Sequence, residues 1–391
     1  MGSIRFSVRT VFLLAFGLGC LFASDGGAAL IDKDGFKVFG DFRIRAETDW
    51  ESQNSSGVAR DDRTRVRIRA RLGLDYAAND VLSFGLRLRT GSDFSQQSPH
   101  ITVLDFDDND TGDAHVNLDK WFLKARRNKI WGSVGRDGLP FWKQNEMFWD
   151  DDVTPAGVAG GYKTSVGENG NLTVNLGYFS LPVGMQEFAG NMASAQLVYS
   201  AELGTGGLTG ALGLLSIDSN RGDADATSLL QGNGTRDYAI WVASLQGRLP
   251  VGERQLVLGA DVLSNAENYL PTDPMLPSGD PDQITFDNRD ETDGYVLSVK
   301  LGGLKDKGDW LAAYYYAHIE KFAVNSSYAQ DDWIRWGSAT EARGSDLKGH
   351  ELRFAYALGK VSNFVLRLYL AEAITSVEDG NRFRADYNRK F

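Results

Sequence analysis

Between Arg63 and Arg71, arginine stands at every second position, in the run Arg63-Thr64-Arg65-Val66-Arg67-Ile68-Arg69-Ala70-Arg71-Leu72. Successive side chains on a β-strand point to opposite faces. One face of this segment is then all guanidinium, and the other carries Thr64, Val66, Ile68, Ala70, Leu72, Leu74 and Tyr76. A helix would scatter both sets around its axis. One face needs water and the other an apolar medium. The wall of a water-filled barrel in a membrane satisfies both.

The same alternation recurs from Phe36 to the last residue. Phe42, Ile44 and Ala46 oppose Asp41, Arg43, Arg45 and Glu47, and Leu82, Phe84, Leu86 and Leu88 oppose Ser83, Gly85, Arg87 and Arg89. About sixteen such segments can be counted, most near the ~9–11 residues of a tilted transmembrane strand. Short connections such as 77–80, 204–207 and 250–253 alternate with long ones such as 48–62, 92–116, 138–155, 266–291 and 322–346. A soluble sandwich also turns often but has no reason to alternate its loop lengths. The expected fold is all-β, a transmembrane antiparallel barrel of about sixteen strands with short periplasmic turns and long external loops.

The N-terminus reads as an export signal over residues 1–29. Arg5 and Arg9 give a basic start, Val11–Phe22 is apolar and Ser24–Ala29 is rich in small residues. The apolar run is short of the ~20 residues of a spanning helix. Residues 30–391 then form one barrel domain, placed in the outer membrane after the signal is removed. The single cysteine, Cys20, leaves with it, so neither a disulfide framework nor a thiolate metal site is expected. The formal charge of -11 argues against nucleic acid as a partner.

The chain ends Arg382-Phe383-Arg384-Ala385-Asp386-Tyr387-Asn388-Arg389-Lys390-Phe391. An aromatic residue closing an alternating strand suits a barrel rim, and it resembles the terminal strand that bacterial outer-membrane proteins present to their assembly machinery. Further stretches carry a family resemblance: Asp61-Asp62-Arg63-Thr64-Arg65, Gly135-Arg136 followed by Pro140-Phe141-Trp142, and Trp149-Asp150-Asp151-Asp152-Val153-Thr154-Pro155-Ala156-Gly157-Val158-Ala159. Together with Phe391 they resemble the Gram-negative outer-membrane family known as putative porins, over roughly 36–391. The resemblance implies a channel in outer-membrane lipid, assembled by the barrel machinery and commonly trimeric at this size. It names no solute.

Three constellations could carry chemistry. The first is a basic wall of Arg43, Arg45, Arg63, Arg65, Arg67, Arg69, Arg71, Arg87 and Arg89 from the early strands and Arg353, Arg367, Arg382 and Arg384 from the late ones. Barrel closure sets the first strand against the last and joins the two clusters. Such a wall would attract anions. Alternatively the arginines pair with acids and stiffen the barrel, and the two roles can coexist. The second is the segment 138–155, with Glu146, Trp149, Asp150, Asp151 and Asp152 as a constriction folded into the lumen; an ordinary external loop is the other arrangement. The third is the acidic run 105–113, where Asp105, Asp107 and Asn109 make a loose calcium site or simply a solvated loop.

Catalytic signatures are missing from the sequence: there is no G-x-S-x-G elbow and no H-E-x-x-H. His318, sharing a face with Tyr316 and Glu320, reads as pore lining. The expected function is a passive porin for small hydrophilic solutes, without cofactor or catalysis. A substrate-specific channel, an outer-membrane hydrolase and an adhesion barrel with a plugged lumen stay as alternatives.

Overall fold

The computed structural model describes residues 31–33, 35–107, 114–219, 236–271, 284–333 and 344–391. The expected signal segment and Asn109 lie outside them. Eighteen strand segments form one antiparallel sheet: β1 (Ile31–Lys33), β2 (Phe36–Gln53), β3 (Arg63–Ala77), β4 (Leu82–Thr90), β5 (Ile101–Asp105), β6 (Val116–Arg127), β7 (Ile130–Arg136), β8 (Ala156–Val166), β9 (Gly170–Pro182), β10 (Phe188–Leu203), β11 (Gly206–Asp218), β12 (Tyr238–Val251), β13 (Arg254–Asn265), β14 (Asp293–Gly302), β15 (Trp310–Ile319), β16 (Leu347–Ala357), β17 (Ser362–Ala373) and β18 (Asp379–Lys390). They make a closed barrel of sixteen staves. β1 is only a short arm folded back on β2. β4 and β5 share one stave, since both pair with β3, at its two ends.

Closure is made by β18 on β2, from Asp379 opposite Gln53 to Lys390 opposite Asp41. Phe391 extends that seam. Its N–H donates to the carbonyl of Gly40 at 3.0 Å and its carbonyl accepts from Gly40 N–H at 2.9 Å. The Phe391 ring lies where a Cβ on residue 40 would stand, so glycine is required there for the last residue to seat.

Burial follows the alternation. Leu72, Phe84, Leu86, Leu123, Val158, Tyr178, Leu212, Trp241, Leu245, Val262 and Leu297 are exposed on the outer wall. An exposed apolar surface of this extent marks contact with another apolar phase. The interior face differs around the circumference. From β16 through β18 and β2 to β4 it is charged. From β9 to β15 its long-loop end is apolar, with Phe179, Met192, Leu215, Ile240, Leu263, Val296 and Ala317 in one buried cluster, while Asn175, Gln196, Thr209, Ser244 and Asp261 lie on the same face nearer the short turns.

Two elements depart from the sequence expectation. β5 lies inside what reads as one long connection, 92–116. Ile101-Thr102-Val103-Leu104 is short and does not alternate polar with apolar, and only its pairing with Arg65–Ile68 makes it a strand. β2 runs on to Gln53, inside what reads as the connection 48–62, and is held there by its pairing with β18.

Candidate functional site: the charged interior

The strand registers set the arginines and their acids side by side. Arg353 of β16 stands opposite Arg367 of β17, which stands opposite Arg384 of β18, opposite Glu47 of β2, opposite Arg65 of β3. One residue pair nearer the short-turn end, Asp386 is opposite Arg45, which is opposite Arg67. Opposed like charges would destabilise the sheet, and Glu47 and Asp386 within the rows, with Asp332 bonded to Arg367 and Arg384, offset that.

Most guanidiniums are held by carboxylates. Arg45 donates to both oxygens of Asp386, at 2.7 and 3.1 Å. Glu47 is fully buried between Arg384 and Arg65 and bonds both. Arg382 donates to Asp49 at 2.5 Å. Arg63 pairs with Asp105 at 2.7 Å, Arg87 with Asp119, and Arg353 with Glu351 at 2.7 Å. Asp41 accepts from Arg69 and Arg71, each at 2.7 Å. Arg89 donates to the carbonyls of Asp152 and Ser95 instead. The pairing role foreseen for the arginines is therefore present in the geometry, and its acids come chiefly from the wall itself.

Three segments from the long-loop end fold among these groups. The first, 137–155, crosses the barrel. Its base is tied by Asp137 N–H to the Pro155 carbonyl at 3.2 Å. Phe141 packs on β11 where Gly213 leaves room for its ring. Gln196 of β10 exchanges two hydrogen bonds with the Trp142 backbone, both at 2.8 Å. Asn145 donates to Asp261 of β13 at 2.5 Å. At the far side Asp152 pairs with Arg71 at 2.7 Å. Trp149 is 1% exposed and stacks on Tyr328 with ring centroids 5.4 Å apart. Lys143 pairs with Asp151 at 2.7 Å.

The second segment is 320–333. It carries Asp332, which pairs with Arg384, with Arg367 at 3.1 Å and with Arg45 at 3.5 Å. Tyr328 and Gln330 join it to the first segment, through Asp150 N–H to the Tyr328 carbonyl and Gln330 N–H to the Glu146 carbonyl. The third is 91–100, held by Gln96 to the Ser327 carbonyl and Gln97 to the Ser326 and Ala329 carbonyls. Between the first two segments and β14–β17 a cavity of about 270 Å³ remains, lined by Lys143, Glu146, Tyr315, Glu351, Arg353 and Arg367 among others.

The loop carboxyls split into two kinds. Burial raises Asp152, but Arg71, Arg69 and Arg89 outweigh it and hold the group down at about 2. Asp332 is likewise held well below the carboxylate range: burial would raise it, and Arg384, Arg45 and Arg367 prevail. At Glu146 the opposing cation is Lys143, and it does not prevail. Burial, with the neighbouring Asp151 adding to it, pushes the Glu146 carboxyl up to about 8. Burial and Glu146 push Asp150 well above its ordinary value.

Asp332, Gln96 and Gln97 were not legible as site residues, because loop positions carry no periodicity. Glu47, Asp49 and Asp386 share the arginine parity, and that was the available signal. Asp105 of the acidic run is occupied by Arg63, and Asp107 accepts from the Thr64 N–H. The lining expected of His318 is a correction. The core of the barrel takes Tyr315, Ala317 and Ile319, so His318 lies on the opposite, outer face and stacks on Tyr295 at 5.4 Å.

Fold and wall chemistry together are those of an outer-membrane β-barrel. Within that class, residues 56–206 match the model of a family described as "Putative porin". The resemblance carried by the Asp61–Arg65, Gly135-Arg136 and Trp149–Ala159 stretches is thus shown. Among solved structures, OprB of Pseudomonas putida superposes with a TM-score of 0.55 at 11% identity, covering 91% of this chain and 94% of its own. Outer-membrane expressed OmpT of Vibrio cholerae gives 0.51 at 13% identity, over 92% and 99%. OmpF of Salmonella typhi gives 0.50 at 12%, over 92% and 99%. At these identities the likeness is one of fold. No curated protein matches the sequence.

Proposed function

We propose that this chain is an outer-membrane porin, a passive and non-catalytic diffusion channel for small hydrophilic solutes. The observation that carries the reading is a closed sixteen-stave barrel whose exposed outer wall is apolar and whose interior arc is charged. Its arginines line the lumen, and segment 137–155 forms the constriction with Glu146, Trp149, Asp150, Asp151 and Asp152. Because acids neutralise most of the guanidiniums, the anion preference is modest. Residues 1–29 are removed on export, Phe391 serves barrel assembly, and the barrels associate as homotrimers. Planar-bilayer conductance of the purified protein tests the channel, and reversal potentials in a salt gradient test the charge preference. Absence of conductance would favour an adhesion barrel with a plugged lumen.

A substrate-specific channel is the second reading. The 270 Å³ cavity favours it, because its lining mixes cations, carboxyls and Tyr315 in a confined passage. Conductance that saturates with one solute separates it from a general pore.

A further inference from the structure

Two arginines of the charged arc stand apart from the pairing that occupies their neighbours. Arg67 has no carboxylate partner among the described residues. Its Nη2 donates to Ser98 Oγ at 3.1 Å and to the His100 carbonyl at 3.4 Å, and its buried Nε has no hydrogen-bond partner among the described residues. Arg43 donates to the neutral amide oxygen of Asn388 at 2.6 Å. Asp386 is 3.8 Å away and already engaged by Arg45 through both oxygens. Exposure separates the two cases. The Arg45 side chain is sealed at 1%, whereas Arg43 keeps 16% and stays open to the lumen.

The register brings these groups together. Arg45 opposes Arg67 and Arg43 opposes Arg69, so Arg43 and Arg67 are diagonal neighbours on one face. His100, where segment 91–100 rejoins the wall at β5, completes the cluster. Its Nε2 is buried and unpartnered among the described residues. Burial, then the guanidiniums of Arg45, Arg67, Arg43 and Arg69, push the imidazole well below its ordinary value, so it stays neutral with a ring N–H to offer. Ser98 Oγ accepts from Arg67 and still has its own proton to donate. Donors thus converge from two strands and one inward segment, and of the carboxylates that act on them Glu47, Asp332 and Asp386 are each bonded to other arginines, with Asp331 the fourth. Leaving buried donors unmade is unfavourable, and a guanidinium fork matches a pair of oxygens.

We propose that Arg43, Arg67 and His100 form a binding site for one small oxyanion of the phosphate or carboxylate class. The site rests on the channel reading for its access from water. The lumen then holds a discrete, saturable step, in contrast to the diffuse field of the paired arginines.

Calorimetry of the detergent-solubilised full chain with inorganic phosphate, in chloride buffer, tests it. One saturable binding event is expected. Arg67→Gln and Arg43→Gln each weaken it about tenfold, the loss of one charge-assisted hydrogen bond. Arg63→Gln removes the same charge from an arginine already paired with Asp105, and leaves it within about twofold. His100→Ala, a change outside the strands, also weakens it and guards against misfolding of the arginine variants; heat-shifted gel mobility reports barrel closure in each. No binding heat, or equal weakening by Arg63→Gln, overturns the site. Chloride current in a planar bilayer separates the two claims. A conducting channel that phosphate never inhibits saturably sinks the site alone. A protein that binds phosphate and does not conduct keeps the site and sinks the channel.

Discussion

The two arcs of the barrel interior solve the same problem with opposite chemistry. Both must fill the space behind the wall and fix the inward segments. The apolar arc, β9 to β15, does so by packing Trp149, Met147 and Phe148 against Leu215, Ile240 and Val296. Such contacts are non-directional and tolerate small shifts. The charged arc, β16 through β2 to β4, uses ion pairs that are buried and directional. The partners Glu47, Asp49 and Asp386 have their places fixed by strand register, and Asp332 and Asp152 are brought in by the inward segments. A register slip of one residue would turn Glu47 and Asp386 to the outer face and strand several arginines. The charged arc therefore specifies how the barrel closes, while the apolar arc supplies adhesion for segment 137–155.

The largest effect should come from removing an acid at the charged seam. Glu47→Ala leaves Arg384 and Arg65 without their shared carboxylate, and breaking a buried pair from one side costs about 3–5 kcal/mol. Adding Arg384→Met to it should cost less than the two single changes summed, because the orphaned charge is then also gone. Urea unfolding in lipid vesicles measures this cycle. Strict additivity would contradict the coupling argued here.

Trp149→Ala probes the other arc. Loss of a buried aromatic costs about 3–5 kcal/mol, at the lower end if the segment can collapse. Since Trp149 anchors segment 137–155, the single-channel conductance should rise as well. Combined with Val198→Ala, at a buried position of β10 outside the apolar cluster that holds Trp149, it should behave additively within about 0.5 kcal/mol. Non-additivity as large as that at the charged seam would erase the distinction between the arcs.

Selectivity should respond less. Replacing Arg65, Arg67 and Arg69 by Ser lowers the anion preference by only a few millivolts of reversal potential in a tenfold salt gradient, an order-of-magnitude expectation for partly neutralised charge. An unchanged potential would make the arginines purely structural.

How far the sequence foretold this division depends on the arc. The arginine alternation at 63–71 and the acids of the same parity made the charged arc readable from strand period alone. The apolar arc was not readable in the same way. Leu212, Leu214, Leu215 and Ile217 carry apolar side chains on both faces, so parity no longer tells inside from outside. His318 was misplaced for that reason: its neighbours Tyr315 and Ala317 look as fit for lipid as for a core. The loop partners, above all Asp332, depend on a fold-back across the barrel that no local pattern encodes. The aromatic content of 138–155 hinted at burial, yet the positions it would reach on β10, β11 and β13 follow only from the closed structure.

The smallest effect, and the one that joins the two arcs, concerns pH. Glu146 sits at the boundary, bonded through its backbone to Gln330 and held up at about 8 by burial and then by Asp151. Its folded value lies above the ordinary glutamate value, so folding favours the protonated form. The stability it contributes is complete below the ordinary carboxylate range and is lost as pH rises toward about 8. Above that value segment 137–155 gains one negative charge beside Lys143, while Asp152, held near 2 by its arginines, is ionised throughout. Anion preference should then fall through a single step centred near pH 8, and cation permeation should rise with it. Glu146→Gln should abolish that step and leave the preference at its low-pH value. Reversal potentials between pH 6 and pH 9 read both outcomes. A step that survives the substitution would assign the titration to another buried carboxyl such as Asp150, and would move the electrostatic boundary from the cavity into the segment's interior.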